Sequence, residues 1–366
     1  MNSEILGLYV HIPFCRCKCF YCDFFSSNYS SEIAKSYINA LIKNLQDFKN
    51  YHVTSIYIGG GTPSVLPVNL IEKLLNAINT TLNLSELKEY TFELNPESVD
   101  IEKLAVLKNF GVERLSVGLQ STDDKILQIL GRPHDFKTFC KSYELIKNFK
   151  FENINIDLIY GIPTQDLYSW KQTLNQTAIF ESTHLSLYPL SIEKGTFFYT
   201  NGVCTDDDLQ RNMYEEAVSF LHGKGFNHYE ISNWAKENKE SFHNSNYWRN
   251  CQYIGVGASA SGYFKRKRYK NISDIKKYID FSNQNLNVSE SEFIDDNLYK
   301  TERIILGLRL LNEGVEVESF LQDPFYKILS ECLKDKTLYN ENNRIKISKK
   351  YIFVFNQIAE KFVNLT

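Results

Sequence analysis

The sequence predicts an α/β fold: a partial (β/α)6 TIM-like barrel with a smaller C-terminal α+β extension. Two observations predict it. Short β-rich runs alternate with amphipathic helical stretches, which implies parallel strands joined by right-handed crossovers. Each run also leads into a cysteine-rich, glycine-rich or polar segment. The unusual residues therefore gather at one rim, the C-terminal strand ends, where parallel α/β folds carry their chemistry. The chain of 366 residues has room for a large domain and a smaller one, with a core expected over 1–235 and a second part over 236–366.

The strands are expected, in order, at Leu8–Ile12, Val53–Ile58, Tyr90–Leu94, Arg114–Val117, Ile154–Ile159 and His184–Tyr188. After the first comes a run of cysteines, and after the second Gly59-Gly60-Gly61-Thr62-Pro63-Ser64. The third ends in Glu93-Leu94-Asn95, and the fourth leads into Gly118-Leu119-Gln120-Ser121. The fifth contains Asp157 and the sixth closes on Tyr188-Pro189. Between the second and third strands, Leu66, Leu70, Ile71, Leu74, Leu75 and Ile78 recur at helical spacing, the apolar stripe of one amphipathic helix. Ile126, Leu127 and Leu130, then Leu145 and Ile146, repeat the pattern in a later connection.

Composition excludes several classes. Basic and acidic residues nearly balance, 41 against 44, so no strong field for nucleic acid is expected. The one basic run, Lys265-Arg266-Lys267-Arg268, reads as a solvated hairpin edge. Met1-Asn2-Ser3-Glu4-Ile5 has neither the basic start nor the apolar stretch of a signal peptide. No stretch approaches the roughly 18 apolar residues that span a bilayer. A cytoplasmic protein is the expectation. Eight cysteines are too few for a disulfide scaffold in a chain this long, yet four fall between residues 15 and 22.

That crowding calls for a metal or redox explanation. Cys15, Cys19 and Cys22 form a Cys-x3-Cys-x2-Cys loop, and a short loop of thiolates can wrap an iron–sulfur cubane, three ligands leaving one iron open. Zinc is the rival, but it favours four ligands in two separated pairs; here only Cys17 or His11 lies near enough to complete the set. Cys17, inside the spacing, is expected to point away from the metal.

The Cys-x3-Cys-x2-Cys loop with an aromatic before its last cysteine, followed by Gly-Gly-Gly-Thr-Pro, resembles the signature of the radical S-adenosylmethionine (SAM) superfamily. Further segments resemble one branch of it, the HemN/HemW group: Tyr9-Val10-His11-Ile12-Pro13-Phe14-Cys15, Arg114 to Ser121, Asn155 to Pro163, and His243-Asn244-Ser245-Asn246-Tyr247-Trp248. The resemblance implies a 4Fe-4S cluster on Cys15, Cys19 and Cys22, with SAM chelated to the open iron. It places Gly60, Gly61 and Thr62 at the methionyl ammonium, Glu93 at a strand end touching SAM, and Gln120, Arg132 and Asp157 along the SAM site. Tyr9 matches an aromatic beside SAM, and Tyr21 adjoins the cluster.

The branch holds two activities: an oxygen-independent coproporphyrinogen III oxidase, which decarboxylates two propionates in heme synthesis, and a heme chaperone, which carries heme to other proteins. Three features favour the chaperone. Phe24 stands where the oxidases carry a fourth cysteine, two residues after the third. Only 14 residues precede Cys15, against a longer N-terminal segment in the oxidase. The segment from His243 to Trp248 matches the chaperone motif His-Asn-x-x-Tyr-Trp, and histidine with flanking aromatics suits a heme face. The resemblance therefore implies heme as cargo, His243 as a heme contact and no assigned catalytic residue. Heme-accepting proteins, membrane-bound ones among them, are the implied partners, with no nucleic acid; a homodimer is compatible. Where the acceptor is membrane-bound, the chain would sit peripherally at the inner membrane. The oxidase is the alternative function.

Further on, Tyr253-Ile254-Gly255-Val256-Gly257-Ala258 reads as a close-packed strand and turn. A helix is expected from about Asp295 to Leu310, then Arg344–Ser348 and a helix to Phe362 as a hairpin and helix of winged-helix type, read as a lid or partner surface.

Overall fold

The computed structural model describes residues 5–282 and 287–363; Met1–Glu4, on which the signal-peptide reading rests, lie outside the described residues. Six parallel strands form in the expected places: β1 (Leu6–Ile12), β2 (Ser55–Gly60), β3 (Glu89–Leu94), β4 (Arg114–Gln120), β5 (Asn153–Tyr160) and β6 (His184–Pro189). The sheet continues through β7 (Asn227–Glu230), β8 (Asn233–Ala235), β9 (Gln252–Val256), β10 (Ser261–Phe264), β11 (Lys267–Asn271) and β12 (Val288–Phe293). Its order is β12-β11-β10-β9-β1-β2-β3-β4-β5-β6-β8-β7, an open, partial barrel with antiparallel flanks.

The segment expected as strand and turn is β9, which pairs in parallel with β1, Gly255 facing Tyr9. A Cβ at Gly255 would lie 2.0 Å from the Ser261 carbonyl oxygen, so only glycine lets β10 fold back this closely. Lys265 and Arg266 turn the β10–β11 hairpin with positive φ. The basic run is thus a hairpin, as its composition suggests, although Arg268 turns inward to Glu302.

Helices α1 (Ser31–Leu45), α2 (Val68–Thr81), α3 (Ile101–Asn109), α4 (Asp124–Ile129), α5 (Phe136–Asn148) and α6 (Leu167–Ala178) make the crossovers. Aspartates 100, 123, 135 and 166 cap four of them by accepting first-turn amides. α2 buries the predicted stripe of Leu70, Ile71, Leu74, Leu75 and Ile78. Leu66 is buried too, but it precedes the helix, which Pro67 opens. Then come α7 (Phe197–Thr200), α8 (Asp207–Gly223), α9 (Phe242–Trp248) and α10 (Ile275–Phe281).

The C-terminal module joins α11 (Asp296–Gly307), α12 (Phe325–Lys334) and α13 (Phe355–Val363) to a three-stranded antiparallel sheet that contains the expected hairpin. No helix among the described residues is long and apolar enough to cross a membrane.

Candidate functional site

Strand alternation sorts the barrel. On β1, Leu6, Leu8, Val10 and Ile12 join the apolar core under the helices, while Gly7, Tyr9 and His11 lie on the opposite, inner face. The same period lines the interior with Ser55 and Tyr57, Glu89, Thr91 and Glu93, Arg114 and Ser116, Asn155 and Asp157, and His184 and Ser186. This polar interior has a rim at the C-terminal strand ends and a foot at the N-terminal ends.

At the rim, the cysteine loop and the glycine loop interlock. Gly61 and Thr62 donate their amides to the carbonyls of Ile12 (2.9 Å) and Phe14 (2.8 Å), and Thr62 Oγ1 lies 3.6 Å from Cys15 Sγ. A Cβ on Gly61 would stand 2.8 Å from the Phe14 oxygen and 2.9 Å from Cys15 Sγ. Gly60 has φ +117°, and its Cβ would meet the His11 ring at 2.7 Å, so both positions need glycine. Arg132 ties the loop down from the other side: Nη2 donates to Asn95 Oδ1 and the Gly118 carbonyl, both at 2.8 Å, and Nη1 points at Cys19 Sγ, 3.4 Å away. Burial works against the Arg132 charge, but neighbouring Tyr21 and Cys19 outweigh it and hold the guanidinium charged. Burial pushes the Cys15 thiol up, and Cys22 to about 11. Cys17 Sγ is turned to the Gly131 carbonyl, 3.9 Å away, and is exposed.

Below the rim, Glu93 accepts from the Tyr57 hydroxyl (2.6 Å) and the Gly60 amide (3.1 Å). Burial, with Asp157 as a nearby like charge, lifts its carboxyl to about 7, despite the hydrogen bonds that oppose the shift. Asp157 accepts from Ser116 Oγ (3.1 Å) and Asn155 Nδ2 (2.8 Å), and burial raises its pKa as well. Gln120 sits at φ +70°, beside a register shift in the β4–β5 pairing.

The foot is closed by α9. Glu89, at the start of β3, accepts from Ser241 Oγ (3.2 Å) and the amides of Phe242 (2.6 Å) and His243 (3.3 Å). His243 is buried, its Nδ1 paired with Ser55 Oγ at 2.8 Å and its Nε2 with the Tyr247 hydroxyl at 2.7 Å. Burial lowers its pKa to about 3, which keeps the imidazole neutral. Beside α9 opens a cavity of about 720 Å3, walled by Phe24, Phe25, Tyr247, Trp248, Tyr253, Ile305 and Leu306. Tyr9 and His11 reach it from the barrel, their side chains joined at 2.9 Å.

The structure thus brings Cys15, Cys19, Gly61, Thr62, Tyr21 and Arg132 together at the rim, with Gly60 and Glu93 bonded just below. It places Asp157 in the middle of the barrel and His243 at the foot, behind Tyr247. Sequence reasoning missed Tyr57, Glu89, Asn95 and Arg114. The signal was there: Tyr57, Glu89 and Arg114 each lie an even number of residues from a chosen or inward-facing position on their own strand, and Asn95 follows Glu93 by two, just past the end of β3.

These features are those of a radical SAM protein, and residues 9–177 match the family model "Radical SAM superfamily". The chain is 36% identical over 367 residues to the heme chaperone HemW of Lactococcus lactis, covering 97% of this chain and 96% of that protein. It is 33% identical over 373 residues to the heme chaperone HemW of Bacillus subtilis, covering 97% and 98%. The solved coproporphyrinogen III oxidase HemN from Escherichia coli shares the fold at a TM-score of 0.83, over 98% of this chain and 90% of that one, at 21% identity. The chain belongs to the radical SAM superfamily and, within it, to the HemN/HemW group.

The superfamily implies an iron–sulfur cluster and SAM. Among the described residues no three Cys, His, Asp or Glu side chains stand in a metal-ligating arrangement. The donor chemistry nevertheless fits: three thiols share one loop, the Arg132 guanidinium lies 3.4 Å from Cys19 Sγ, and glycines at 60 and 61 keep side chains out of the rim.

Proposed function

We propose that this protein is a heme chaperone that binds a 4Fe-4S cluster, SAM and heme, and hands heme to acceptor proteins, membrane-bound acceptors included. The observation that carries the reading is the aromatic-walled cavity of about 720 Å3 that reaches from the loop after Cys22 to α9, within the range of small-molecule and cofactor sites. Its walls come from the loop after Cys22 and from α9 and α11, so cargo would lie between the cluster loop and the His243 segment. The similarity to proteins named heme chaperone HemW supports it.

In this reading Cys15, Cys19 and Cys22 would hold the cluster, with SAM bound beside it. Gly60, Gly61 and Thr62 receive the ammonium end, and Glu93 supplies a buried carboxylate beneath it. Gln120, Arg132 and Asp157 line the rest, with Tyr9 and Tyr21 as flanking aromatics. The His243 segment meets heme through the Tyr247 ring. His243, hydrogen-bonded behind it, orients the phenol and reaches iron itself only if that bond opens. Residues 1–235 would act as the SAM core and 236–366 as the part that shapes the heme site. A cytoplasmic location follows, peripheral at the inner membrane when the acceptor is there, and a homodimer remains compatible.

The test is a heme titration of anaerobically reconstituted protein, followed at the Soret band. Saturation near one heme per chain is expected, with a changed spectrum in His243→Ala. No saturable binding would sink the reading, and an anaerobic assay that made protoporphyrinogen would put the oxidase in its place.

A further inference from the structure

The cavity beside α9 has apolar walls but one charged side. Strand β11 turns Arg268 and Lys270, two residues apart and therefore on one face, into it. The two cations are in different states. Arg268 is spent: both of its terminal nitrogens bond the Glu302 carboxylate on α11, Nη2 at 2.8 Å, and the Glu302 side chain is only 8% exposed. Lys270 is half-buried and has no ion pair among the described residues. Glu290 stands in register with it across the β11–β12 pair, on the exposed edge strand, and forms no ion pair with it. The cavity's other acid, Asp23, is exposed and lies on the loop after Cys22.

A free ammonium beside an aromatic cavity suits a planar apolar ligand with a carboxylate at its edge. Apolar walls cannot distinguish the acid from its ester, whereas a half-buried ammonium can, because a charge-assisted hydrogen bond is about twice as strong as a neutral one. We propose that Lys270 is a specificity-determining residue that grips a carboxylate of the tetrapyrrole cargo, so that the cavity selects porphyrins by their acidic edge, with or without iron. This rests on the heme reading above. The grip is independent of the His243 segment, since Lys270 stands on the hairpin and Tyr247 on α9.

The experiment compares hemin, iron-free protoporphyrin IX and the dimethyl ester of hemin as ligands of the cluster-loaded full chain, by Soret shift or quenching of intrinsic fluorescence. Wild type is expected to bind both free acids about ten-fold more tightly than the ester. Lys270→Met, which keeps the apolar stem, should lower acid binding to the level of the ester, and Lys270→Arg should restore most of the preference. Cluster absorbance and melting temperature, unchanged in both variants, separate a lost grip from a lost fold. Hemin binding with no preference over the ester, or a preference that survives Lys270→Met, would overturn this inference and leave the chaperone reading standing. Absence of saturable hemin binding by the wild type would overturn both.

Discussion

The two ends of the barrel interior spend their polar groups differently. At the foot, hydrogen-bonding capacity is largely consumed inside the protein. Glu89 takes a hydroxyl and two amides from α9, His243 uses both ring nitrogens, and His184 bonds Asn155 Oδ1 at 2.6 Å and the Tyr229 hydroxyl at 2.8 Å. At the rim, the glycines at 60 and 61 leave space, the cysteines are in no disulfide, and Arg132 Nε has no hydrogen-bond partner among the described residues. Saturated groups hold a fold together, while unsaturated groups beside open space are available to a ligand. Arg114 crosses that division: it is buried near the foot, yet among the described residues its Nε and Nη1 lack partners; burial opposes its charge, and Glu89 leads the neighbours that outweigh burial.

The largest expected effect is at the rim. Replacing Cys15, Cys19 or Cys22 by alanine should abolish the brown absorbance of reconstituted protein, while Cys17→Ala should retain it. Equal loss in Cys17→Ala would overturn the ligand set and blur the rim's boundary. The foot should answer in stability instead. Glu89→Gln weakens the three hydrogen bonds that anchor α9 and removes a charge that acts on buried Arg114; hydrogen bonds to a charged group contribute about 1.5–3 kcal/mol each, so a loss of about 3 kcal/mol is expected. Urea denaturation should show the loss with cluster content unchanged. A variant as stable as wild type would mean that the foot is not the structural end.

How much of this was legible in the sequence depended on range. The six strands were readable because their outward residues are continuously apolar in alternation, as in Leu8, Val10 and Ile12, and the ends moved by no more than three residues. The rim was readable because four of the eight cysteines crowd into residues 15–22 and three glycines run together at 59–61. The foot was not. Glu89 looks like an ordinary polar strand start; besides Thr91, its partners lie 152 to 154 residues away, a pairing set by topology alone. The parallel insertion of β9 beside β1 is equally non-local. His243 was singled out as a heme contact, but no local pattern shows that Ser55 and Tyr247 occupy both of its nitrogens.

Glu93 tests the boundary through pH. Its carboxyl is raised from an unfolded value of 4.5 to about 7. The folded state therefore holds the proton more tightly between those values, and its stabilising contribution, full below about 4.5, is lost as pH rises to 7. Glu93→Gln should thus look progressively better relative to wild type as the apo protein is moved from pH 5 to pH 8. The ceiling is about 3 kcal/mol, less whatever the altered bonds to Tyr57 and Gly60 cost. Denaturation curves at the two pH values measure it. A difference that stays constant with pH would show that Glu93 is as well satisfied as the residues of the foot.

The smallest expected effect decides where the middle layer belongs. Asp157 is buried and bonded to Ser116 and Asn155, which is the manner of the foot, yet it faces Glu93 closely enough to raise that carboxyl, which ties it to the rim. Asp157→Asn keeps its volume and part of its hydrogen bonding while removing the charge. If Asp157 serves SAM, affinity for SAM should fall about ten-fold, the size of one charge-assisted contact, with the cluster intact. The Glu93 carboxyl should drop at the same time, because a like charge has gone, and this can be read as a downward shift in the pH at which Glu93→Gln gains its advantage. Unchanged SAM affinity with lowered stability would assign Asp157 to the foot, and the ligand-facing layer would then end at Glu93.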